Sequence, residues 1–301
     1  MKRISSLFMG MLIAGAACAA PDWSKVPPRK MTLFYPGQSG LEWIMNKPDH
    51  SAVPDIVDKK RSCAKCHEGD ASEIGDKIVA GKPVGSSKTI LESEPQKGRV
   101  GFIPVAFQAA HDGKKIYFRF EWEAPKGVEA KKADPKNEIK LALMFDGGGT
   151  VEGADLNGCW GTCHMDLRTM KNAKDDKKTK YIKGADLASG KFMDLIQFRS
   201  GKGEKPVDGY VANERHMEGG KSLVKAEGKK EGSKWVVSFE RTLAGAGPGD
   251  HSIAEGKLYN FGFAIHDDYT NARHHYVSLG YIFGLDKPMA DVKNYINVVK
   301  Q

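Results

Sequence analysis

Two short cysteine pairs, each followed directly by a histidine, constrain this chain more than any other feature. They are Cys63-Ala-Lys-Cys66-His67 and Cys159-Trp-Gly-Thr-Cys163-His164. Cys-x-x-Cys-His is the attachment signature of c-type haem. Two thiols add across the porphyrin vinyl groups as thioethers, and the adjacent histidine is thereby carried under the iron as an axial ligand. The bland alternatives are two disulfides, or one zinc site built from the cysteines with or without histidine. Neither explains the histidines: they are 9 of 301 residues, so meeting one directly after both pairs by chance is about a one-in-a-thousand event. Pairs this close would also enclose tiny loops, where a disulfide stabilises least. The second pair is separated by three residues instead of two, but Cys163-His164 stays adjacent, which is what ligation needs. The expectation is two covalent haem c groups. Their thioethers fall at Cys63, Cys66, Cys159 and Cys163, and their proximal iron ligands are His67 and His164.

The fifth cysteine, Cys18, belongs to a different kind of segment. Lys2 and Arg3 open the chain, Leu7 to Ala17 form a short apolar stretch, and Ala17-Cys18-Ala19 offers a small-x-small cleavage site. The pattern predicts a secretory signal over residues 1–19 and export to a bacterial periplasm. A lipoprotein anchored through Cys18 is the rival, although Gly15 stands where such signals usually carry leucine. No later apolar run approaches the roughly 20 residues of a membrane-spanning helix. The formal charge of +8 falls to +6 once Lys2 and Arg3 are removed. The lysine-rich runs, Lys171 to Lys183 and Lys221 to Lys234, fit a solvated surface or steering toward an acidic redox partner. Tyr181 is the sole aromatic in the two runs, too few for the interleaving that nucleic-acid binding calls for, and export argues against such a partner.

Periodicity divides the rest. From Ala20 to about Lys97 the chain is rich in proline and glycine, with one helical candidate from Ala71 to Ala80, and suggests a cytochrome c module folded around its haem. Beyond it, residues 98–301 turn to strands. Ile116, Phe118, Phe120 and Trp122 alternate with Tyr117, Arg119 and Glu121, and large apolar residues recur at every second position in Ile139 to Phe145, Trp235 to Phe239, Tyr259 to Ile265 and Val277 to Phe283. Strands at uneven spacing with turns between them predict a mainly β chain, a β-sandwich preceded by the small loop-and-helix module. Residues 148–232 break the alternation and carry the second cysteine pair. They read as a long insertion, with a helix expected around Gly190 to Ser200.

Several segments occur in a telling order: Ala109-Ala-His-Asp-Gly-Lys, Tyr117-Phe-Arg-Phe-Glu-Trp122, Leu141-Ala-Leu-Met-Phe145, Gly158-Cys-Trp-Gly-Thr-Cys-His164, Met193-Asp-Leu-Ile-Gln-Phe-Arg199 and His275-Tyr-Val-Ser278. Over roughly residues 98 to 290 the chain resembles the haem-binding domain family of cytochrome c-552 and DMSO-reductase type, which includes ethylbenzene dehydrogenase gamma subunits. The resemblance implies a β-sandwich with one haem against a sheet, exchanging electrons with a molybdenum oxidoreductase, its iron–sulfur subunit or another cytochrome. It also implies iron ligands. In b-type members a methionine on the strand matching Leu141 to Phe145 holds the iron together with a lysine near the last strand. Met144 matches that methionine, and His275 stands where the lysine would be. This chain departs from those members by its cysteines and His164, so its second iron needs one further protein ligand.

For the sixth ligand of the first iron, His50 lies thirteen residues before Cys63 in the same segment, with His111 and His216 as weaker alternatives. For the second, the candidates are His275, His274, His266 and Met144. By strand parity Met144 shares a face with Ala142, and His266 with Gly262 and Ala264. An unliganded surface role explains His50, Met144 and His266 as simply. Taken together, the residues point to a periplasmic dihaem carrier of single electrons. A haem enzyme of peroxidase or other oxidoreductase type, with one iron left open, is the competing class, and a haem-linked sensor is a third. No acid/base pair in the sequence demands catalysis.

Overall fold

The computed structural model describes residues 20–37, 61–86, 88, 90–125, 134–151, 153–156, 158, 182, 184–271, 273–290 and 292–301. The expected signal segment, His50, Cys159, Cys163 and His164 lie outside the described residues.

Among the described residues thirteen strands form a single sheet that folds back on itself. They are β1 (Arg29–Phe34), β2 (Phe102–His111), β3 (Lys115–Glu123), β4 (Lys140–Phe145), β5 (Met193–Arg199), β6 (Val207–Val211) and β7 (Arg215–His216), then β8 (Lys225–Glu231), β9 (Lys234–Thr242), β10 (Tyr259–His266), β11 (Tyr276–Val277), β12 (Tyr281–Leu285) and β13 (Tyr295–Lys300). The order runs β7-β6-β5-β4-β10-β11-β1-β2-β3-β9-β8, while β12 and β13 make a second bridge between β10 and β2. One leaf, β7 to β10, therefore lies over the other, β1 to β8. Their inner faces meet in an aromatic core, where the Phe107 ring lies 5.6 Å from Phe261 and the Phe120 ring 4.9 Å from Phe263. The edge strand β8 comes so close to β5 of the other leaf that a Cβ on Gly228 would sit 2.3 Å from the Phe198 ring. The mainly β sandwich read from the alternating segments is the architecture found.

The alternation marks faces correctly. Leu141, Leu143 and Phe145 point into the main core, whereas Met144 and Ala142 belong to a separate cluster with Val151, Ala154, Ile182, Met193, Leu195, Val207 and Val211. That second cluster lies on the outer face of β4 and β5. Three expectations need correction. The helix expected around Gly190 to Ser200 is strand β5, with Asp194, Ile196 and Phe198 on one face and Met193, Leu195 and Gln197 on the other. Both faces are buried, so the segment shows no alternation of apolar and polar residues. From Met193 onward the expected insertion is sheet, carrying β5 to β8. The segment before residue 98 is not purely irregular either: β1 pairs with β2 from Arg29↔Phe107 to Phe34↔Phe102 and meets β11 at Phe34↔Val277.

Among the described residues two α-helices, α1 (Cys63–His67) and α2 (Ala71–Val79), pack against the main core. α2 is the helix expected from Ala71 to Ala80, and it buries Ile74, Ile78 and Val79. It docks through glycine backbone: a Cβ on Gly75 would fall 2.1 Å from the Gly101 carbonyl oxygen. Among the described residues no helix is long and apolar enough to cross a membrane.

Candidate functional site

Helix α1 is the first cysteine motif itself. Ser62 caps it, its hydroxyl oxygen accepting the Ala64 N–H at 3.2 Å. Cys63 and Cys66, three residues apart, are neighbours on one helical face. Both are free thiols, Cys66 exposed and Cys63 half-buried against the main core. Burial pushes the Cys63 thiol up to about 12.

His67 ends the helix, and its Nδ1 lies 3.2 Å from both carboxylate oxygens of Asp70. A carboxylate only accepts, so in this contact Nδ1 donates to Asp70, and Nε2 is the ring nitrogen through which the imidazole would bind a metal. A histidine held this way by a carboxylate is the usual arrangement of a metal-bound imidazole. Two vicinal thiols on one face and an oriented imidazole beside them are the donor set that a c-type haem requires, and these residues fit that group. Asp70 was not singled out from the sequence, although its place three residues after His67 is the signal that could have found it.

The helix is clamped to the sheet at both ends. At its start the Asn294 amide donates to Ser62 Oγ and to the Gly280 carbonyl, each at 3.2 Å. At its end Glu68 accepts from Arg29 at 2.8 Å and from the Tyr281 hydroxyl at 3.2 Å. These positions are distant in sequence, and nothing in their local pattern marks them.

The proposed second-site ligands fall into two groups. His266 ends β10 and His275 precedes β11. Continuing the antiparallel register of Ala264↔Val277 places the two histidines opposite each other, and their rings stack at 5.0 Å. Along the same outer face, Met144 pairs with Gly262 and Ala142 with Ala264, so the floor between Met144 and the histidines is made of small residues. His274 points elsewhere. It stacks on Tyr35, which is hydrogen-bonded to Glu92, and burial, with Arg273 and Arg99 adding to it, pushes it down to about 4. Of the weaker alternatives, His111 has both ring nitrogens engaged, one by Asp286 at 2.9 Å and the other by the Gly113 N–H. That makes it a structural residue. His216 is exposed and stacks on Tyr210.

The lysine run along β8 and β9 is neutralised locally. Lys225 pairs with Glu240, Lys229 with Glu231, Lys230 with Glu138 and Lys234 with Glu121. Among the described residues no group of three or more His, Cys, Asp or Glu side chains is placed to hold a bare metal ion.

Comparison with known proteins adds to this geometry. Cytochrome c-552 of Stutzerimonas stutzeri is 47% identical over 290 residues, covering 95% of this chain and 96% of that protein. Cytochrome c-551 of Rhodocyclus tenuis is 33% identical over 274 residues, covering 91% and 98%. Among solved structures, a family 9 carbohydrate-binding module from Caldicellulosiruptor kristjanssonii in complex with glucose covers 64% of this chain and 81% of its own. It does so at 9% identity and a TM-score of 0.33, too loose a likeness to bear on function. The family described as ethylbenzene dehydrogenase matches residues 20–231. With a match over that span and relatives similar along nearly their whole length, the chain belongs to the ethylbenzene dehydrogenase family.

Proposed function

We propose that this chain is a periplasmic dihaem c-type cytochrome that carries single electrons to or from a respiratory oxidoreductase or another cytochrome. The observation that carries the reading is the α1 site, where Cys63 and Cys66 share a helical face and Asp70 orients His67. The names of the two relatives, both cytochromes c, support it. When attached, haem supplies the one-electron chemistry, and the protein supplies ligation, burial and a docking surface. Cys159, Cys163 and His164 hold the second haem by the same pattern. Residues 20–97 form the first haem module, although its β1 is part of the sheet. Residues 98–301 form the sandwich, with the second motif within the stretch 148–232.

Asp70 keeps the proton on His67 Nδ1 and raises the basicity of Nε2. Asp70→Asn is expected to leave the haem attached and raise its reduction potential, because a weaker donor stabilises the ferric state less. Spectroelectrochemical titration of the variant checks this, and an unchanged or lowered potential contradicts it.

The sixth ligands are assigned to His50 at the first iron and to one of the outer-face residues at the second. His275 comes first, with His266 and Met144 behind it, while His274, turned toward Tyr35, is set aside. Closed coordination at both irons makes the protein a carrier and leaves no open position for substrate. The unmodified protein is therefore expected to be low-spin and indifferent to carbon monoxide, while His275→Ala opens the second haem alone. Stoichiometric carbon monoxide binding by the unmodified protein overturns the carrier reading in favour of a haem enzyme. If His275→Ala has no effect, the ligand role moves to Met144 or His266.

A further inference from the structure

The chain segments that lead into the two cysteine pairs end on the same backbone turn. Ser62, the residue before Cys63, is buried and donates its hydroxyl to the Gly280 carbonyl at 3.4 Å, with the Asn294 amide bridging both. Gly158, the residue before Cys159, packs on the other side of that turn. A Cβ on Gly158 would lie 2.7 Å from Gly280 Cα and 3.0 Å from its nitrogen, and its φ of +65° already favours glycine. Contact is thus backbone against backbone, and there is no flexible side chain to give way. Gly280 itself lies between β11 and β12, and Tyr281, the next residue, holds the far end of α1 through Glu68.

We infer that the turn at Gly280 is a common seat for both haem-bearing segments, fixing the two haems as near neighbours. The inference rests on the dihaem reading above. Ser62 and Gly158 each lie one peptide bond, about 3.8 Å from Cα to Cα, before the first cysteine of their pair. Gly158, Ser62 and Asn294 are positioning residues in this scheme, acting on the haems only through the segments they hold.

The test is pulsed and continuous-wave EPR of the fully oxidised holoprotein, with intact mass measured on the same sample. Two attached haems with mutual magnetic broadening, lost when one iron is selectively reduced, is the expected result. Gly158→Ala strains a positive φ and drives a methyl into Gly280, so it is expected to lose part of that broadening with both haems still attached. Ser62→Ala removes the hydroxyl bridge more gently and is expected to act in the same direction, which keeps the test open if Gly158→Ala fails to fold. A single haem by mass overturns the dihaem reading and the shared seat together. Two haems with independent, unbroadened signals, or coupling unaltered in both folded variants, overturns the shared seat alone.

Discussion

Replacing Cys63 and Cys66 by alanine is expected to yield a folded protein that has lost one haem and kept the other. Few of the contacts that fix α1 depend on its cysteines. Ser62, Gly280 and Asn294 hold its start, Arg29, Tyr281 and Glu68 its end, and α2 docks independently through Gly75 against Gly101. The sheet also closes without it, through the pairing of β1, β2, β12 and β13. Loss of both thioethers removes covalent attachment outright, so the effect on haem content at this site is all or none. Intact mass reads it directly. A variant that still carries two covalent haems, or that loses both, contradicts the assignment of one haem to this motif.

The largest effect on stability is expected at Arg241. It lies on β9 in one leaf and reaches across the core to Asp194 on β5 in the other, and neither side chain is exposed. Its Nη1 donates to Asp194 at 2.6 Å and its Nη2 to the His251 carbonyl at 2.8 Å, while the guanidinium lies 5.0 Å over the Phe145 ring. Burial pushes the Asp194 carboxyl up to about 7, against the pull of Arg241 and the His251 N–H. Arg241→Ala leaves a buried carboxyl without its cation and opens a cavity. Breaking a buried pair in this way costs about 3–5 kcal/mol, a large part of the roughly 5–15 kcal/mol that holds a domain folded. Arg241→Met combined with Asp194→Leu removes both charges and is expected to recover most of the loss. Denaturant unfolding measures both variants, and a double variant no more stable than Arg241→Ala contradicts this role for the pair.

The sequence was most informative where a residue's role depends on its immediate neighbours. The helical candidate from Ala71 to Ala80 is α2, and alternation marks β3, β4, β9 and β10, because one face of each differs in kind from the other. Parity even separated Met144 and Ala142 from the main core. Local pattern carries no such mark where burial is two-sided or the segment is polar throughout. Met193 to Arg199 is buried on both faces and imitates a helix. Lys225 to Glu231 forms an exposed edge strand, whose ladder with β9 is a long-range pairing that carries no local signature. At the site, His67 and the cysteines were legible. Asp70 was legible in principle, whereas Glu68 with Tyr281 and Ser62 with Gly280 depend on contacts across more than two hundred residues. His266 and His275 each stood out as a candidate ligand, but their stacking could be seen only once β10 and β11 were paired.

Covalent attachment of haem at both motifs is the claim on which the rest depends, and intact mass of the purified, acid–acetone-washed protein tests it most directly. The expected mass is that of the chain cut after Ala19 plus two haems, with no haem extracted into the solvent. A mass corresponding to one haem would remove the site at Cys159 and Cys163, and a mass corresponding to the bare polypeptide would contradict the account altogether.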